Sequence, residues 1–191
     1  DSDICTPVRS IIVCDSVGVI SSARKDLNEE KRQLLEYTNL EGLTGTLRDV
    51  LPGADVFIGV SKGNLLTQDD VRRMAPGAIV FAMANPIPEI LPAEALAGGA
   101  AVAGSGRSDF PNQVNNVLAF PGIFRGALDA RATRITAGMK LAAAHALASC
   151  VESPTVDRVL PLPFEAGVAQ RVATAVREAA RRDGVARAEG H

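Results

Sequence analysis

The sequence predicts an α/β domain built on a parallel sheet. Short apolar runs recur at residues 10–15, 55–60 and 78–83, with a weaker fourth at 100–103. Uninterrupted apolar character of this kind marks strands buried within a parallel sheet. Helix-patterned stretches fill the intervals, and such alternation builds strand–helix–strand units. The stronger runs also lead into Asp15, Ser61 and Asn85, small or polar residues where an open α/β sheet receives ligands.

Each helix has its own local signal. Asn28 can cap a helix reaching Tyr37, with Glu29 and Glu30 in the positive first turn. Residues 44–51 suit a short helix stopped by Pro52-Gly53. Thr67 caps another, with Asp69 and Asp70 near its start and Arg72 and Arg73 near its end. Beyond residue 110 the pattern turns helical. Met139, Ala143, Ala146, Leu147 and Cys150 share one face of a helix starting near Thr136. Val168, Val172 and Val176 stripe a second helix over residues 165–182, and Pro154, Pro161 and Pro163 mark an extended connection between the two. The expected organisation is a single domain, 1–191. It has an atypical start (1–10), an α/β crevice portion (11–135) and a helical portion (136–191) ending in a frayed tail.

Composition narrows the function. The 191 residues carry 20 Lys+Arg against 22 Asp+Glu, a net charge of −2, which supplies no basic surface for nucleic acid or an anionic membrane. With no Trp and one Tyr, the chain lacks a base-stacking platform. Its apolar runs are too short to span a bilayer. The odd set Cys5, Cys14 and Cys150 has no paired spacing, which suits free thiols and a cytoplasmic location. The chain opens on Asp1 rather than Met, so processing or a longer parent protein is expected.

Several segments could carry chemistry. Asp15 closes the first apolar run, where an acid can accept ribose hydroxyls in dinucleotide folds; a solvated acid at a strand end reads equally well. No glycine-rich turn precedes it, and Gly104-Ser105-Gly106 lacks a third glycine. Gly59-Val60-Ser61-Lys62-Gly63 and Asn85-Pro86-Ile87-Pro88-Glu89 follow successive runs and can line one crevice, or form local turns. Asn112, Gln113, Asn115 and Asn116 concentrate side-chain amides suited to hydroxyl and carboxylate groups, although Asn115 or Asn116 could instead cap the next helix. His145 and His191 have no catalytic partners nearby, no paired Cys or His forms a metal site, and no serine lies in a G-x-S-x-G elbow.

Together, Ile11-Ile12-Val13-Cys14-Asp15-Ser16, Glu36-Tyr37-Thr38-Asn39, residues 54–61, Ala84-Asn85-Pro86-Ile87-Pro88-Glu89, Gly106-Arg107-Ser108-Asp109 and the block 112–127 closely resemble bacterial malic enzymes, in their C-terminal NAD-binding half. The resemblance runs from about residue 11 to about residue 185, and the block 106–127 is its most specific part. It implies a Rossmann-like doubly wound sheet without its first strand and glycine-rich loop. It also implies oxidative decarboxylation of L-malate to pyruvate and CO2, with NAD or NADP and, in the complete enzyme, Mg2+ or Mn2+.

By the same resemblance, Asp15, Ser16, Val60, Ser61, Asn85 and Asn115 would line the cofactor, and Asn85, Asn115 and Asn116 the substrate. Asp15 tilts the expectation toward NAD, because it would repel a 2′-phosphate. The family's catalytic Tyr and Lys and its metal-ligand carboxylates precede residue 11. No catalytic or metal residue is therefore assigned to this chain, Tyr37 and Lys62 included, and the chain alone is expected to be inactive. Its expected partners are a missing N-terminal half or another subunit, within a homo-oligomer. The competing readings are a non-catalytic Rossmann-like binding module and another NAD-dependent oxidoreductase.

Overall fold

The computed structural model describes residues 8–187. Cys5, His191 and most of the atypical start and frayed tail lie outside the described residues. Three strands, β1 (Val56–Gly59), β2 (Ile79–Ala82) and β3 (Val102–Ser105), pair in parallel in the order β1-β2-β3. The registers set Gly59 beside Ala82 and Ala82 beside Ser105, so all three chains leave the sheet along one edge. Among the described residues the helices are α1 (Glu29–Leu34), α2 (Leu47–Val50), α3 (Gln68–Arg72), α4 (Pro92–Ala97), α5 (Phe120–Asp129), α6 (Ala137–Ala148) and α7 (Val168–Arg182). A single 3-10 turn, Asn116–Leu118, leads into α5.

The capping signals act as their chemistry requires. Asn28 accepts from the Lys31 N–H, Thr67 from the Asp70 N–H, and Thr136 from the Met139 N–H. The first and second helices are shorter than expected, ending at Leu34 and starting only at Leu47. α4 has no counterpart among the expected helices; Pro92 opens it at a position that needs no N–H. β3 begins two residues later than the apolar run that marks it.

The core is split. Phe57, Val80, Ala82 and Ala103 pack from the sheet against Leu51, Leu66, Val71, Met74 and Ala95. A second cluster unites Met139 and Ala143 of α6 with Val172, Val176, Ala179 and Ala180 of α7. Gly122 and Gly126 let α5 lie close to α7. A Cβ on Gly126 would sit 2.4 Å from the Ala173 carbonyl oxygen.

Two expectations are corrected here. Residues 10–15 do not form a sheet strand. Cys14 makes only an isolated antiparallel bridge to Val19, while the Ile11 and Val13 carbonyls accept from the Asn39 and Ile20 N–H groups. Apolar side chains alone do not make a strand; a ladder needs a neighbouring strand, and no described strand offers one. β1 is buried on one face only, with Val56 47% and Ile58 63% exposed. No described helix covers that face.

Candidate functional site: the carboxyl edge of the sheet

The site follows from the direction of the strands. In an open α/β sheet, ligands collect outside the carboxyl ends. Here β1 runs out into Val60 and Ser61, β2 into Met83, Ala84 and Asn85, and β3 into Gly106 and Arg107. Val60, Ser61 and Asn85 are all exposed at this edge. Asn116 is also exposed, at the first position of the 3-10 turn.

Hydrogen bonds tie the three exit loops into one rim. Glu89, fully buried, accepts from the Ser61 N–H at 2.7 Å and from the Ala84 N–H at 3.0 Å, so one carboxyl group joins the β1 and β2 loops. Arg107 donates to the Pro86 carbonyl at 3.3 Å, joining β2 to β3, and pairs with Asp109. Asn115 donates to the Gly106 carbonyl at 3.1 Å and its side-chain oxygen accepts from the Val117 N–H at 3.0 Å. The Asn115 amide thus caps the 3-10 turn and fastens it to the β3 loop. The Asn116 amide is the freer of the two to meet a ligand.

Asn112 serves the structure. Its amide donates to the carbonyls of Ala103 and Val156, and its oxygen accepts from the Val159 N–H at 2.9 Å. This pins the connection between α6 and α7 against β3. A recess of about 180 Å³ beside it is lined mainly by Pro92, Leu96, Phe110, Pro111 and Val156, away from the exposed amides of the rim.

Asp15 occupies a different setting. Its carboxylate accepts from the N–H groups of Val17 and Gly18, from the two terminal Arg24 guanidinium nitrogens at 2.7 and 3.0 Å, and from the Lys31 ammonium at 2.6 Å. Those donors use the acceptor capacity of a carboxylate, about four lone-pair sites. Arg24 first, and Lys31 with it, hold the Asp15 carboxyl well below the usual carboxylate range. Arg24 also pairs with Asp26. With two cations on Asp15, simple repulsion of a 2′-phosphate loses its basis as an argument for NAD over NADP. Ser16 follows on the exposed surface. Burial, reinforced by the Asp15 charge, pushes the Cys14 thiol up, which disfavours the reactive thiolate.

Of the residues singled out from the sequence, the structure brings Val60, Ser61, Asn85 and Asn115 to one rim. Asp15 and Ser16 belong instead to the cation-paired turn. The residue missed was Glu89. Its signal was a single acid inside Ile87-Pro88-Glu89-Ile90-Leu91, an apolar setting that leaves an acid no solvent. The His145 ring, outside the rim, buries its Nε2 without a hydrogen-bond partner among the described residues.

A dinucleotide fits the parallel-strand rim, where small residues and exposed amides meet. A metal ion does not fit the described residues by themselves, since no group of three or more His, Cys, Asp and Glu side chains among them could hold one. Comparison with known proteins gives the family. Residues 6–181 match the family described as malic enzyme, NAD binding domain. The bifunctional malic/malolactic enzyme of Bacillus subtilis (strain 168) is 54% identical over 183 residues, which cover 94% of this chain and 45% of that protein. The NAD-dependent malic enzyme of Geobacillus stearothermophilus is 51% identical, over 94% of this chain and 38% of its own length. The NADP-dependent malic enzyme of Halomonas elongata is 43% identical, over 93% and 45%.

The crystal structure of the Entamoeba histolytica malic enzyme superposes with a TM-score of 0.88 at 37% identity, covering 94% of this chain and 39% of that one. That of the Pyrococcus horikoshii Ot3 enzyme gives 0.84 at 44% identity, covering 90% and 41%. The chain spans less than half the length of these relatives. With its rim of parallel-strand ends and this match along nearly its whole length, the chain belongs to the malic enzyme family, as a Rossmann-like NAD-binding domain.

Proposed function

We propose that this domain serves an oxidative, decarboxylating malic enzyme, binding the dinucleotide while L-malate is converted to pyruvate and CO2. The observation that carries the reading is the rim itself. Asn85 and Asn116 present side-chain amides at adjoining carboxyl-edge loops, held there by Glu89, Arg107 and Asn115. A bound dinucleotide would supply the hydride acceptor for the substrate carbon. Around it, the Asn85 and Asn116 amides orient the hydroxyl and carboxylates of malate without neutralising them. Asn115 fixes the 3-10 turn that presents Asn116, and Val60 and Ser61 border the cofactor.

Asp15 and Ser16 take the adenine ribose, with Lys31, the more exposed of the two cations on Asp15, yielding its place to a ribose hydroxyl. Both NAD and NADP remain within reach of this pocket. The acid–base pair and the Mg2+ or Mn2+ ligands come from outside the described residues, supplied by an N-terminal half or another subunit of a cytoplasmic homo-oligomer. The test is malate-dependent reduction of NAD and NADP with Mn2+, measured on the 191-residue chain and on the full-length natural protein. Turnover is expected only in the latter. Turnover by the purified 191-residue chain overturns the division of labour, and its absence from both overturns the malic reading.

A further inference from the structure

We propose that Glu89 is a positioning residue that ties the exit loops of β1 and β2 together from the buried face of the sheet and so shapes the cofactor cleft. The inference rests on the dinucleotide reading above but assigns the shape of the cleft to one side chain. The β1–β2 ladder proceeds in register to Gly59 and Ala82, and its last backbone bond runs from the Met83 N–H to the Gly59 carbonyl at 2.9 Å. Two residues past each strand end, Ser61 and Ala84 occupy equivalent positions. The Ser61 N–H is next in the β1–β2 ladder, and the Ala84 N–H, by strand alternation, lies on the β3 side of β2. Each points instead to one oxygen of the Glu89 carboxyl, at 2.7 and 3.0 Å. One carboxyl group thus takes both N–H groups where the ladders stop and joins the two exit loops beneath the rim.

Two further features make this a built seat. Gly59 has no side chain where a Cβ would lie 2.5 Å from the Glu89 carboxyl carbon. The backbone on either side of the acid is anchored as well, by Asn64 N–H to the Pro88 carbonyl and Leu66 N–H to the Glu89 carbonyl, at 3.0 and 2.9 Å. The Glu89 side chain is fully buried, so it acts on a ligand only through the loops it holds. Ser61 and Asn85 are the side chains those loops present.

The experiment compares NADH affinity in the full-length natural protein, followed by NADH fluorescence well below every melting temperature. Glu89→Gln places an amide donor against one of the two N–H groups. Gly59→Ala pushes the carboxyl from its seat without altering its charge. Both are expected to weaken NADH binding by about tenfold or more. Val80→Ala is the control: this β2 side chain is 1% exposed and points into the core, so it should lower the melting temperature and leave NADH affinity unchanged. If Glu89→Gln and Gly59→Ala bind like the parent, the proposal is overturned. It is equally overturned if Val80→Ala loses affinity to the same degree, since Glu89 would then be structural only. Where Glu89→Gln does not fold, Gly59→Ala carries the decision. A parent protein that binds no NADH overturns the dinucleotide reading instead.

Discussion

The sheet and the C-terminal helices use their residues in opposite ways. Around the sheet, the core is one-sided, and the polar side chains gather where the strands stop: Glu89 beneath the rim, Asn85 and Asn116 above it. In the α5–α7 layer, contact is made by small and aliphatic residues, with Gly122 and Gly126 seated against Val172, Ala173 and Val176. Few polar groups there meet anything but their own helix or its cap. The difference separates two jobs. One region exposes polar groups at its strand ends, and the other uses its residues for close packing.

The sharpest way to break that comparison is to damage the helical layer alone. Met139 is fully buried between α6 and α7. Met139→Ala should cost about 2–5 kcal/mol, the range for large-to-small changes in a close-packed core, read as a fall in the urea or thermal midpoint. Cofactor affinity, measured where the variant is still folded, should stay at the parent value. A loss of affinity in proportion to the lost stability would show that the two regions are one functional unit.

The rim should answer in the reverse sense. In the full-length natural protein, Asn116→Ala removes an exposed amide with no side-chain hydrogen bond among the described residues, so the melting temperature should hardly move. If that amide orients malate, kcat/KM should fall by about one to two decades, or about 1.5–3 kcal/mol. Its neighbour separates binding from capping: Asn115→Ala removes the cap of the 3-10 turn and should cost about 1 kcal/mol of stability. An Asn116 variant with parent kinetics would remove that residue from the site.

The smallest effect concerns acid. The Asp15 carboxyl is depressed in the folded chain by Arg24 and then Lys31, from an ordinary value of 3.8. A depressed carboxylate contributes stability that is complete above its unfolded-chain value and is lost as pH falls through the folded one. Stability should therefore decline below about pH 4. Asp15→Asn should flatten part of that decline, leaving the shares of Asp26, Asp49, Asp70 and Asp109, which are lowered as well. An unchanged acid limb in a urea-midpoint series would mean that the ion pairs on Asp15 persist in the unfolded chain.

Local signals were legible wherever the interaction spans a few residues. Asn28 and Thr67 cap the helices their spacing suggests, because a cap bond reaches only two or three residues onward. The stripe Val168, Val172 and Val176 is buried as its period requires. The run at residues 10–15 misled, because its side chains suit a strand while strand formation depends on what lies alongside. The amide-rich segment was legible as a cluster but not in its division of labour. Asn112, Asn115 and Asn116 are the same residue type, and only their surroundings make the first an anchor, the second a cap and the third a free amide.

The alternation of strands and helices, two of the caps, the amphipathic stripes and the motif block that places the chain in its family were thus legible before folding. These rest on covalent order and short-range chemistry. The tertiary structure alone decided that the sheet's core would be one-sided, that Asp15 would be enclosed by Arg24 and Lys31, and that Glu89 would reach across 28 residues to Ser61. A carboxyl group takes its role from the donors the fold brings within hydrogen-bond distance, and those donors come from segments far apart in the chain.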